Sequence, residues 1–237
     1  VWIALGLVLG ALANYLLVAP RLRVYTEMAD DALTLPDFFD KRFNMSKGPI
    51  RVISAAVIIL FFTLYTSAGL VAGGKLFESA FGLSYHLGLI ITVSVVVAYT
   101  LLGGFLAVSM TDFVQGCIMF VALILVPIVA YMQFNGSADM LNFAQQSIPS
   151  FSESWQSITL LGIVSSLAWG LGYFGQPHII VRFMAIRSVK DIKTARNIGM
   201  GWMIVTILGS LGTGLVGVAY ANKFGLQVAD PETIFVI

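Results

Sequence analysis

Residues 169 to 178 read Trp-Gly-Leu-Gly-Tyr-Phe-Gly-Gln-Pro-His, with Gly170, Gly172, Gly175 and Pro177 crowded into the middle of an apolar run. In a helix interior each glycine costs about 1 kcal/mol and a proline about 3 kcal/mol against alanine, so this stretch resists a continuous helix. Its flanks say the opposite. No charge occurs from Ile158 to Val181, which is the length a hydrocarbon layer asks of one helix. The combination predicts a discontinuous helix, broken near 170–177. Backbone opened at membrane depth leaves N–H and C=O groups without intrahelical partners, and protein, water, ions or a bound solute must satisfy them. Two readings of the glycines stand. One is a kink that permits close helix packing. The other is an opened segment lining a solute site, with Trp169 and Tyr173 supplying aromatic faces and polar handles. In the second reading the half-helix starting near Gln176 turns its positive end toward an anionic group, and carbonyls closing the first half meet a cationic one, as a zwitterion requires. The spacing of Gly170, Gly172 and Gly175 also matches G-x-G-x-x-G. A dinucleotide fold is rejected, because no strand precedes it and no βαβ pattern surrounds it.

The rest of the chain agrees with a membrane setting. Of 237 residues, 58% are hydrophobic and 11% charged, and the mean hydropathy is +0.92; a soluble domain does not tolerate that balance. Six charge-free windows of spanning length follow one another: Val1 to Val18, Val52 to Gly74, Leu87 to Leu106, Phe113 to Gln133, Ile158 to Val181 and Ile198 to Tyr220. Stretches such as VALILVPIVAYM are apolar on every face, unlike the alternating strands of a membrane barrel. The expected fold class is all-α, a polytopic transmembrane helical bundle of six helices, A to F, forming one membrane domain over 1–237.

Val1 begins inside an apolar run and Pro231-Glu232 opens another, so the chain reads as a fragment, and its first segment as a truncated span and not a secretory signal. Cys117 is the single cysteine, which excludes an intrachain disulfide framework and leaves a buried structural thiol. Net charge is +1, giving no support to nucleic-acid binding. The basic residues set the orientation. Arg21, Arg23, Lys41, Arg42, Lys47 and Arg51 lie between A and B, and Arg182, Arg187, Lys190, Lys193 and Arg196 between E and F, leaving only Lys75 and Lys223 elsewhere. Loops 21–51, 103–111 and 182–197 are therefore expected on the cytoplasmic side of the cell inner (plasma) membrane.

Between A and B, LTLPDFFDKRF predicts a short amphipathic helix at the cytoplasmic interface, with Pro36 at a first helical position. From Asn135 to Trp155 a long polar outward loop, containing Pro149, could cover an outer vestibule. The sequon Asn135-Gly136-Ser137 receives no function. Gly209, Gly212, Gly214 and Gly217 favour close packing in helix F, and Pro127 marks a kink.

WGLGYFGQPHI followed by VRFMA, together with ALTLPDFF, FFTLYTSAGLVAG with LFES after it, and GGFLAVSMTDFVQ, resembles the sodium/solute symporter family in order and spacing over nearly the whole chain. The resemblance implies a partial LeuT-like core of two inverted five-helix repeats, with sodium and a solute bound near the midplane. Helices A to D then belong to the first repeat, and helix E opens the second. It further implies that Trp169, Tyr173 and Pro177 contribute to substrate binding and the outer gate, and that Tyr65, within Thr63, Tyr65, Thr66 and Ser67, is a further substrate-binding position. Taken alone, the aromatic residues could as well be packing, and the hydroxyls could bond back to the preceding turn. Asp112 has two readings: a helix N-terminal residue complementing the dipole, or, as the resemblance implies, a carboxylate lining the sodium pathway. Helices supplying much of the sodium site are expected outside this chain, so no complete metal site is expected within it.

The implied activity is secondary active transport, the sodium-coupled symport of L-proline by alternating access. Expected partners are L-proline, sodium as coupling ion and the lipid bilayer, with no cofactor, no nucleic acid and no obligate protein partner. Alternatives are symport of another small solute, such as pantothenate, another amino acid or a carboxylate, or the transporter-like membrane domain of a sensor. An enzyme is not expected: there is no H-E-x-x-H and no nucleophile elbow, and His86 and His178 are the only histidines.

Overall fold

The computed structural model of the chain describes residues 1–43, 48–147, 159–226, 228 and 234–235. Among these the ordered elements are helical: α1 (Trp2–Ala13), a π-helical turn (Asn14–Val18), α2 (Ala19–Met28), α3 (Leu35–Phe43), α4 (Pro49–Phe81), α5 (Tyr85–Tyr131), α6 (Ser137–Ser147), α7 (Leu160–Leu167), a 3-10 segment (Ala168–Phe174), α8 (Pro177–Met184) and α9 (Asp191–Lys223). Four helical runs are long and apolar enough to cross a membrane: Trp2–Met28, Pro49–Phe81, Tyr85–Tyr131 and Asp191–Lys223. Leu160–Phe174 is a shorter apolar run. The chain divides into two compact units, Val1–Thr63 with Ile158–Ile204, and Leu64–Ser157 with Val205–Ile237.

In the first unit, α1 packs along α7 and the 3-10 segment, and α2 packs on α8. The helix through α1 and α2 widens into a π turn for a local reason. Pro20 has no N–H to give Leu16 and its ring crowds that carbonyl, and the Ala19 N–H reaches back to the Asn14 carbonyl instead. The buried core of this unit joins Ala19 and Leu22 of α2, Leu35 and Phe38 of α3, Ile180, Phe183 and Met184 of α8, and Ile192 of α9. The expected short helix between A and B is present. It starts at Leu35, where the Asp37 N–H donates to Thr34 Oγ1 at 3.3 Å, and it buries Leu35 and Phe38 while leaving Phe43 exposed. Lys47, in the same connection, lies outside the described residues.

In the second unit, α4 turns into α5 at Gly82, whose φ of +65° is glycine territory. Ser84 caps α5 by accepting from the Leu87 N–H at 3.4 Å. The 47 residues of α5 are two helices joined across a kink, 85–103 and 105–131, each long enough at ~1.5 Å per residue for about one crossing. Its single non-helical residue is Gly104 (φ 55°, ψ −151°). The expected connection at 103–111 is thus helical on both sides of one glycine and not an extended loop. The expected outward loop after Asn135 also differs: residues 137 to 147 form α6, because Met140 and Ala144, one turn apart, bury themselves with Phe134, Val216 and Ala219. The later part of that expectation, with Pro149 and Trp155, lies outside the described residues, as does Pro231-Glu232. Of the four helix F glycines named above, three meet a neighbour: Gly209 the backbone of Leu123, Gly212 the Pro127 ring, and Gly217 the Ile234 side chain, whereas Gly214 faces open space.

Candidate functional site

The predicted discontinuity is observed. Thr159 caps α7, accepting from the Gly162 N–H at 3.1 Å, and the α-helix ends at Leu167. Ala168 to Phe174 then winds as a 3-10 helix, longer than such helices usually run and a common mark of a functional hinge. Gly175 closes it by donating to the Gly172 carbonyl at 3.1 Å. Gln176 is extended, and α8 restarts with Pro177 in its first turn and no side-chain cap. A proline is at home there because the first turn has no partner for its missing N–H.

Trp169, Gly170, Gly172, Tyr173 and Gly175 therefore lie on one opened segment of the first unit, with Pro177 opening the helix that follows it. Trp169 and Leu171 are well exposed, and Tyr173 and Pro177 half-buried. The glycines are not equivalent. A β-carbon on Gly170 would strike the Gly6 carbonyl, and one on Gly10 the Gly170 carbonyl, so these backbones touch; Gly175 has nothing nearby and Gly172 only the Gln176 side chain at 3.5 Å. Close packing and an opened segment, set out above as alternatives, coexist at different glycines. His178 packs edge-on to Phe62, ring centroids 5.7 Å apart.

The carbonyl at the end of the opened stretch is occupied. Asn14 Nδ2 donates to the Tyr173 carbonyl at 2.8 Å, so this oxygen already has a donor where a cationic ligand group was expected. Asn14 is 1% exposed. Asn14, Gly6 and Gly10 are not among the site residues expected from the sequence. The signals were there: a lone asparagine in the apolar run Trp2–Val18, and Gly-x-x-x-Gly spacing at 6 and 10.

Tyr65 and Asp112 belong to the second unit. Tyr65 is exposed on α4, and its neighbour Thr63 bonds back to the Ile59 carbonyl at 2.7 Å, the self-satisfying arrangement open to such hydroxyls. Asp112 is half-buried inside α5, about two turns past Gly104. It is not in a first turn, so the helix-dipole reading of this carboxylate does not hold. The adjacent Thr111 hydroxyl bonds back to the Ala107 and Val108 carbonyls.

Comparison with known proteins identifies the family. The chain is 62% identical over 236 residues to an osmoregulated proline transporter of Bacillus subtilis, covering all of this chain and 48% of that protein. It is 56% identical to a high-affinity proline transporter of the same organism, over 99% of this chain and 50% of that one. It is 52% identical to a sodium/proline symporter of Staphylococcus saprophyticus, over all of this chain and 46% of that one. The chain thus spans about half the length of the curated relatives it matches. No solved structure matches it. A sequence model of the sodium:solute symporter family matches residues 1–234, and the chain, a multi-pass helical membrane protein, belongs to that family.

Proposed function

We propose that this chain is part of a sodium-coupled L-proline symporter of the cell membrane, working by alternating access. The observation that carries the reading is the opened segment 168–176, where an apolar helix gives way to 3-10 backbone beside Trp169 and Tyr173. Such a break offers main-chain groups to a zwitterion at membrane depth. Relatives at 52–62% identity across the whole chain are named proline transporters or sodium/proline symporters, which favours proline as the solute and sodium as the coupling ion. Trp169, Tyr173 and Pro177 are assigned to the solute site and its outer gate, Tyr65 to a further contact, and Asp112 to the sodium pathway. In this reading the chain carries parts of two inverted repeats, six spans in all, with residues 21–51, 103–111 and 182–197 cytoplasmic. Coupling is a difference in affinity: sodium stabilises an outward-facing state that binds proline more tightly than the inward-facing one.

The test is uptake of radiolabelled L-proline by the full-length protein in proteoliposomes. Expected is accumulation driven by an inward sodium gradient and lost when potassium replaces sodium. Sodium-driven uptake of a different solute would overturn proline as the substrate, and uptake of no solute would overturn transport.

A further inference from the structure

We propose that Asn14 is a solute-binding residue, its Oδ1 accepting a hydrogen bond from the cationic N–H of the transported imino acid while its Nδ2 holds the opened backbone in place. The inference rests on the proposed proline transport and adds a contact that the sequence did not suggest. Two independent observations support it. Asn14 stands at the start of the π turn, an element that frequently marks functional sites because it moves a side chain out of helical register. Its carboxamide is also half-used: Nδ2 donates to the Tyr173 carbonyl, whereas Oδ1 is buried with no donor among the described residues. A buried acceptor left unpaired is costly and uncommon. Because both atoms share one planar amide, Oδ1 is fixed beside the opened segment that Nδ2 grips.

The chemistry selects the ligand group. A neutral amide oxygen accepts and cannot donate, so it suits a donor, and a charged donor most strongly. The Tyr173 carbonyl already has one donor in Nδ2, whereas Oδ1 has none among the described residues. Asn14 therefore adds an open acceptor at this end of the break.

The experiment is a residue-by-ligand cycle on the full-length protein in proteoliposomes, comparing wild type with Asn14→Leu and Asn14→Asp. Inhibition of sodium-driven proline uptake is read for unlabelled L-proline and for tetrahydrofuran-2-carboxylate, which keeps the ring and carboxylate and lacks the N–H. Wild type should prefer proline by roughly tenfold or more, as a charge-assisted hydrogen bond implies. Asn14→Leu should lose that preference by weakening proline more than the analogue, and Asn14→Asp, which keeps acceptor oxygens and lacks the donor, should retain it. Equal weakening of both ligands by Asn14→Leu would show a purely structural role and overturn the proposal. So would a wild type that does not distinguish the ligands, a result needing no variant. Absence of any sodium-driven proline uptake by wild type would instead strike the proposed function.

Discussion

Gly10 lies so close to Gly170 that a β-carbon on Gly10 would run into the Gly170 carbonyl, and one on Gly170 would run into the Gly6 carbonyl. Backbone is on both sides, so no flexible side chain can yield. Gly10→Ala and Gly170→Ala should each destabilise the protein by about 1–3 kcal/mol, the usual cost of overpacking. Gly175→Ala meets nothing within 4 Å and should leave stability unchanged within error. Thermal unfolding of the detergent-solubilised full-length protein, followed by intrinsic fluorescence, distinguishes the two classes.

Gly104 has a different kind of constraint. Its surroundings are open, but a φ of +55° is left-handed backbone. Gly104→Ala should cost about 1–3 kcal/mol through backbone strain alone. Gly214, also in open space but without a positive φ, should accept alanine with no loss and even a small gain, since glycine weakens a helix interior. The same unfolding assay reads both.

Arg23 joins two elements of the first unit through one nitrogen. Its Nη1 donates to the Met184 carbonyl at 3.3 Å, at the end of α8, and lies 3.0 Å from Asp31 Oδ1. The arginine side chain is 12% exposed and the aspartate 67%. The ion pair is therefore screened and worth under about 1 kcal/mol, while losing the donor from a buried carbonyl costs about 1–3 kcal/mol. Arg23→Ala should accordingly destabilise more than Asp31→Asn, measured as above. Equal effects would show that the ion pair and not the carbonyl contact dominates.

Asp112 is proposed to line the sodium pathway, and its place about two turns past Gly104 removes the competing dipole role. Asp112→Asn keeps shape and deletes charge. It should raise the sodium concentration for half-maximal proline uptake by roughly tenfold, the scale of one lost charge-assisted contact. Proline affinity at saturating sodium should be retained. Unchanged sodium dependence would return Asp112 to a structural role.

The opened helix was legible because glycine and proline act locally: their backbone limits need no neighbour to be read. The amphipathic helix at Leu35–Phe43 was legible for the same reason, through Pro36 and the phenylalanine spacing. What escaped depended on partners distant in sequence. α6 forms because Met140 and Ala144 find Val216 and Ala219, and nothing in its polar composition announces that. Gly104 falls in the connection expected at 103–111, since two glycines between apolar runs do not reveal that helix continues beyond them. Asn14 was hidden because its partner, the Tyr173 carbonyl, is a main-chain group that a sequence does not show.

The segment 168–176 as solute site is tested most directly by ligand protection at Gly172, where a side chain has room, with only Gln176 Nε2 at 3.5 Å. In the full-length protein with its other cysteines, including Cys117, replaced, and with sodium-driven proline uptake retained, the rate of maleimide reaction at the Gly172→Cys variant is measured with and without L-proline. The expected result is slower alkylation when proline is added with sodium, and no slowing with proline in potassium. Equal alkylation rates with and without proline in sodium would contradict a solute site at the opened helix.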